Sequence, residues 1–205
     1  MDMSTLAAFL AVDLLLVFTP GADWAYAISA GLRSRSVLPA VTGLVAGYAG
    51  YTLLAVAGLV VVVASSPNLL TALTVLGACY LMWLGRGVLA RPAVPTAAAE
   101  TMAASGWRVM LKGAGISGLN PKALLLYFSL FPQFIDPTAG WPVAAQTGLL
   151  GVLHMASCAV VYLTVGLLAR TVLRARPAAA RAVTRASGAM MIAIGGFLLI
   201  ERLAG

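Results

Sequence analysis

Phe18-Thr19-Pro20-Gly21-Ala22-Asp23 interrupts an apolar run that extends from Leu6 to Leu32. Its triplet Thr19-Pro20-Gly21 is a helix-starting signal, with Thr19 as N-cap and Pro20 at the first helical position. The signal falls inside a membrane-length segment, where the backbone should already be helical. At an offset of 101 residues, Asn120-Pro121-Lys122 repeats the arrangement inside the run Val109–Ile135. A span broken at mid-depth frees N–H and C=O groups that only protein or a watery cavity can satisfy. Paired breaks at corresponding places are the sequence mark of a transporter's binding site. The pattern therefore points to a chain that moves a small solute across a membrane.

Composition agrees with a membrane location. The chain is 61% hydrophobic and 9% charged over 205 residues, outside the range of a soluble domain. Apolar runs near Leu6–Leu32, Val37–Ala64, Leu69–Ala90, Val109–Ile135, Val143–Ala169 and Val183–Ile200 predict six transmembrane helices in a single domain, 1–205. Asp2 at the start and Asp13 within the first run argue against a cleaved signal peptide. The net charge of +7 is not a nucleic-acid footprint, because it gathers in three loops. Arg33 and Arg35 occupy the first, Arg86, Arg91, Arg108 and Lys112 flank the second, and Arg170, Arg174, Arg176, Arg181 and Arg185 surround the third. Eleven of the thirteen basic residues thus mark one side, which the positive-inside rule makes cytoplasmic, with both termini outside. Trp107 and Trp141 read as interface anchors. Cys79 and Cys158 form no CxxC pair and read as small buried hydrophobes.

The chain also repeats itself. At an offset of 101, Pro20, Gly47 and Gly50 match Pro121, Gly148 and Gly151; at 111, Gly77-Ala78 and Gly85 match Gly188-Ala189 and Gly196. Three helices per copy is an odd number, so the second copy enters from the opposite side. The expected fold is an all-α membrane protein, an inverted 3+3 repeat with helices 1 and 4 broken. Repeat one covers 1–90, a cytoplasmic linker 91–106, and repeat two 107–205. Gly43, Gly47 and Gly50 form a small-residue stripe for close helix packing.

Four ionisable residues fall within the spans: Asp13, Asp23, Lys122 and His154. A charge at bilayer mid-depth costs about 2.5–3.5 kcal/mol on insertion scales, so each needs a partner or a cavity. Lys122 sits at a helix start, where the dipole disfavours a cation. Two partners are open to it: a transported carboxylate, or a permanent ion pair with Asp13 or Asp23. Asp23, in a first helical turn, serves as a local cap, binds an ammonium group or carries a proton. Asp13 lies about 15 Å earlier if the chain is helical, as a second proton-relay position or a solvated charge at the outer mouth. His154 reads as a satisfied polar residue rather than a metal ligand. No metal-ligand cluster, nucleotide loop, nucleophile motif or dinucleotide fingerprint occurs, so no metal, cofactor or enzymatic activity is expected. An ion gradient remains as the energy source, with protons the simplest choice.

Phe18-Thr19-Pro20-Gly21-Ala22-Asp23 and Gly118-Leu119-Asn120-Pro121-Lys122 resemble the hallmark motifs of the LysE/RhtB family of bacterial amino-acid exporters. Leu76-Gly77-Ala78-Cys79-Tyr80-Leu81-Met82-Trp83-Leu84-Gly85 and Phe131-Pro132-Gln133-Phe134-Ile135-Asp136-Pro137 resemble it too, in the family's order. Ala22 departs from it where the family often has a second proline. The resemblance implies secondary active efflux of an amino acid from the cytoplasm across the bacterial inner membrane. On that reading Asn120, Pro121 and Lys122 meet the substrate carboxylate. Asp23, with Thr19, Pro20, Gly21 and Trp24, forms the facing wall, and Asp13 and Asp23 couple the ion. Trp24 and Tyr127 are cavity-lining or packing residues. The expected partners are an amino acid, protons and the lipid bilayer; a homodimer is compatible and nucleic acid is not. The rivals are export of another small solute or a divalent cation, which needs more ligands than the chain offers, and a thiol-redox protein, which needs a cysteine pair.

Overall fold

A computed structural model describes residues 1–33, 36–58, 67–92, 105–173 and 175–204. Among them the regular structure is entirely helical. The α-helices are α1 (Met3–Phe18), α2 (Ala22–Arg33), α3 (Leu38–Val56), α4 (Pro67–Ala90), α5 (Gly106–Gly118), α6 (Pro121–Leu125), α7 (Val143–Leu168) and α8 (Pro177–Ala204). Most of the expected linker 91–106 lies outside the described residues, as do Arg35, Ser65, Ser66 and Arg174.

Local chemistry accounts for the starts and stops. Asp2 caps α1 by accepting from the Thr5 N–H at 2.8 Å, and hydrogen bonds from Thr5 and Ser4 lower its carboxyl to about 2. Pro121 opens α6 at a first-turn position where its missing N–H costs nothing. After five residues the chain loosens into a π turn, Leu126–Leu130, and a 3₁₀ turn, Phe131–Phe134. Pro132 explains the irregularity, since it has no N–H to continue an α ladder.

Two helices, Leu38–Val56 and the continuous stretch Val143–Leu173, are long and apolar enough to cross a bilayer. Met3–Phe18 with Ala22–Arg33, bent by 58°, makes a third and broken candidate. The chain is thus an all-α protein with membrane-length helices, and its first break is a real bend.

Packing is by close backbone approach. The most extensive interfaces are α4 with α8 and α3 with α5, followed by α3 with α7 and α2 with α7. A Cβ added at Gly43 would stand 2.1 Å from the Met110 carbonyl oxygen, so α3 and α5 meet this closely only because Gly43 is a glycine. Gly47 also faces α5, whereas Gly50 has nothing within 4 Å of that position. The expected stripe is therefore a packing surface over its first two members only. The central core gathers Phe9, Tyr48, Tyr127, Phe131 and Tyr162 from α1, α3, the turns after α6, and α7.

Candidate functional site

The break after α1 leaves carbonyls that need donors, and each donor can be named. Thr19 Oγ1 donates to the Leu15 carbonyl at 2.9 Å and the Thr19 N–H to Leu16 at 3.1 Å. Trp24 Nε1 reaches back from α2 to the Val17 carbonyl at 2.8 Å. The Lys122 ammonium, from α6, donates to the Leu16 carbonyl at 3.0 Å and the Thr19 carbonyl at 3.2 Å. These are the last carbonyls of a helix and the negative end of its dipole, which is where a cation is favoured.

The structure corrects one sequence expectation here and narrows a choice that the sequence leaves open. Thr19 is not the N-cap of the second half-helix but the C-cap of the first, because its hydroxyl turns back to Leu15. Pro20 accordingly lies outside the helix, and the first i→i+4 bond of α2 runs from the Ala25 N–H to the Gly21 carbonyl. The open choice concerns Lys122. Its hydrogen bonds go to backbone carbonyls and not to the carboxylate of Asp13 or Asp23, so of the two partners the sequence leaves open the ion pair is not formed here.

Asn120 performs as the sequence suggests. Its side-chain oxygen accepts from the Lys122 N–H at 3.0 Å, capping α6. Its amide nitrogen donates to Asp23 Oδ2, also at 3.0 Å. Asp23, 1% exposed, is the meeting point of the site. Tyr48 donates to Oδ2 at 2.6 Å, Tyr162 to Oδ2 at 3.2 Å, and Ser117 to Oδ1 at 3.2 Å. With Asn120 that makes four donors from α3, α5, α7 and the second break. A carboxylate can accept all four, whereas a protonated carboxyl would have to give up lone-pair capacity to its own proton.

Asp13 is fully buried rather than solvated at a mouth. Its Oδ1 lies 2.6 Å from His154 Nδ1, a hydrogen-bond contact between α1 and α7. Its Oδ2 is buried without a hydrogen-bond partner. Cys158 Sγ stands 3.5 Å from His154 Nε2, and the imidazole packs edge-on against Tyr48 and Tyr127. His154 is the satisfied polar residue that the sequence suggests; its partner lies 141 positions away, a pairing that sequence distance hides.

Tyr127 is fully buried and bonds Thr52 and the Tyr48 carbonyl, so it is a packing residue. Cys158 is buried as expected, but Cys79 is exposed on α4. No group of three His, Cys, Asp or Glu able to hold a metal occurs among the described residues.

A cavity of about 500 Å³ adjoins this cluster, between α2, α4, α5 and α8. Arg33, Arg86, Arg91 and Lys112 line its basic end, and Ala22 and Ile116 line it beside Asp23 and Ser117. Tyr26, also on its wall, is fixed by donating to the Val109 carbonyl at 2.6 Å. Sequence reading found the cations as loop residues and not as one chamber, because their convergence depends on how α2, α4 and α5 pack.

Comparison with known proteins supplies the remaining observation. A family model described as LysE type translocator matches residues 14–202. An uncharacterized membrane protein of Vibrio cholerae is 34% identical over 152 residues, covering 73% of this chain and 74% of that protein. The uncharacterized membrane protein YrhP of Bacillus subtilis is 32% identical over 145 residues, 65% and 69% of the two chains. A leucine efflux protein of Klebsiella pneumoniae is 31% identical over 144 residues, 67% and 66%. No solved structure matches the chain.

Proposed function

The chain belongs to the LysE type translocator family, which makes it a membrane transporter and not an enzyme, and from that premise we propose that it exports a small amino acid by proton-coupled alternating access. Relatives named leucine efflux proteins favour an apolar amino acid of that size. The six-helix inverted repeat is part of this reading: α1–α2, α3 and α4 form one copy, and α5 with 121–134, α7 and α8 the other. The basic loops face the cytoplasm and both termini face outward. The cavity rimmed by Arg33, Arg86, Arg91 and Lys112 is then the cytoplasmic entrance, and its positive field concentrates molecules carrying a carboxylate.

The observation that carries the reading is the Lys122 ammonium on the two carbonyls of the first break. A substrate carboxylate competing for that ammonium releases the α1 end, so binding and opening of the break are one event. Asn120 and Pro121 hold the helix start behind Lys122. Thr19, Pro20, Gly21 and Trp24 form the facing wall, and Asp23 is the counter-charge for the substrate's amino group. The coupling proton is bound and released at Asp13 with its partner His154, or at Asp23.

Cells expressing the chain and loaded with dipeptides test this directly. The substrate amino acid should leave faster than from the parent strain, and a Lys122→Ala variant present in the membrane should remove the gain. Equal efflux for every amino acid in the panel would reject the assignment.

A further inference from the structure

Two buried carboxylates, Asp13 and Asp23, lie within electrostatic range of the Lys122 ammonium. Uncompensated charge in an apolar bundle is costly, so the group is neutral only when it holds one further proton. Asp23 has its acceptor sites occupied by Tyr48, Tyr162, Asn120 and Ser117, and Lys122 balances its charge. The additional proton therefore belongs elsewhere. Asp13 and His154 offer two atoms for it: Asp13 Oδ2, buried and without a partner, and His154 Nε2, whose near polar neighbour is Cys158 Sγ at 3.5 Å.

We propose that the Asp13–His154 pair, joining α1 to α7, is the proton-carrying site of this transporter and that Asp23 stays ionised throughout the cycle. The proposal rests on the exporter reading for the direction of transport, but not for the existence of the titrating pair. In the loaded form Asp13 is a carboxylate and His154 holds protons on both nitrogens. In the unloaded form His154 keeps Nδ1–H toward Asp13 and the proton has left Nε2. One proton is bound and one released, with no other bond changed.

The groups facing the pair fit this division. Tyr48 from α3 packs edge-on against His154 and sends its hydroxyl to Asp23, so one side chain touches the pair and the second carboxylate. Tyr127, after α6, packs on the imidazole but spends its hydroxyl on Thr52 and the Tyr48 carbonyl. Cys158 and Tyr162 on α7, Asp23 on α2 and Lys122 on α6 complete the ionisable surroundings. Protonating the pair neutralises the group, and losing the proton leaves a buried negative charge that disfavours this arrangement. Proton binding is thereby tied to how α1 sits against α7.

His154 is the only histidine in the chain, so its imidazole nitrogens can be followed alone by nitrogen NMR of the full-length protein in lipid nanodiscs. Its protonation should differ between spectra taken at mildly acid and at mildly alkaline pH. Asp13→Asn should abolish the signature of the short Nδ1 hydrogen bond. An imidazole that keeps one protonation state across that range overturns the proposal, whatever the substrate. In proteoliposomes, L-leucine exchange without a gradient should persist in His154→Gln, while accumulation driven by a pH gradient is lost. Cys158→Ser should keep both. Gradient-driven accumulation that survives His154→Gln and disappears in Asp23→Asn would move the proton site to Asp23 and end this assignment. Absence of leucine exchange in the unaltered protein would count against leucine as substrate, while the NMR result still decides the pair.

Discussion

At Leu119–Pro121 the chain closes its gap largely with its own atoms, whereas at Thr19–Gly21 it depends on a side chain 103 to 106 residues away. In the second break the Leu119 and Asn120 N–H groups bond Gly115 and Ser117, and Asn120 caps the helix that follows. The Gly118 carbonyl accepts from the Tyr51 hydroxyl at 2.8 Å, and the Asn120 amide donates to Asp23. In the first break Thr19 covers Leu15, but Leu16, Val17 and Thr19 rely on Lys122 and Trp24 as well. The second break is thus a fixed corner, and the first is closed only while α6 lies against the end of α1. On the proposed function, the first break would be the joint that releases and the second the joint that holds.

Removing the residue that ties the two breaks together should have the largest effect. Asp23→Ala leaves four donors without their acceptor, and the expected loss of stability is on the order of 3–5 kcal/mol. Asp23→Asn should lose less, since one oxygen remains to accept. Thermal unfolding in detergent reads both, and an Asp23→Ala protein as stable as the original would show that the breaks do not share a joint.

Lys122→Ala comes next. It strips donors from two carbonyls at the end of α1, at a cost of roughly 2–4 kcal/mol by the usual price of unmet polar groups. Substrate binding should fall with it. The double variant Lys122→Ala with Asp23→Ala sharpens the contrast: an ion pair predicts recovery of stability in the double, whereas carbonyl capping predicts none. Recovery would restore the ion pair that the sequence had left open.

Trp24→Phe isolates the first break further. The ring is kept and the single bond to the Val17 carbonyl is lost, for about 1–2 kcal/mol. Because no residue of the second break bonds Trp24, a cysteine placed near Asn120 should label no faster than before, while one placed near Thr19 should label faster. Equal change at both would mean that the breaks open together.

How much of this was legible beforehand follows from sequence distance. The breaks were visible because proline punctuates a helix locally, and Asn120 was assigned correctly because capping reaches only two residues along the chain. Thr19 was assigned to the wrong helix: Thr-Pro-Gly reads as a start, yet a threonine hydroxyl can equally bond the carbonyl four residues back, and nothing local chooses between them. Lys122 was recognised as needing a negative partner. The partner was a helix end, which residue identity does not encode. The pairing of His154 escaped because it depends on Asp13 being opposite it, a fact of packing between α1 and α7.

The smallest structural effect, and the most selective test, is expected at Gly21. A Cβ there would meet nothing within 4 Å, and its backbone does not require the left-handed region reserved for glycine. Gly21→Ala should therefore be neutral or gain about 0.4–1 kcal/mol by restricting the unfolded chain. Its value lies in separating structure from function. If the open space beside Gly21 is where substrate approaches the first break, one methyl group narrows that space without disturbing any bond of the resting protein. Export should then fall while thermal stability holds or rises, and Gly50→Ala, which also meets open space and whose chain neighbour Tyr51 serves the second break, should leave export unchanged. Equal export by Gly21→Ala and the unaltered protein would place the substrate elsewhere and reduce the first break to a flexible bend.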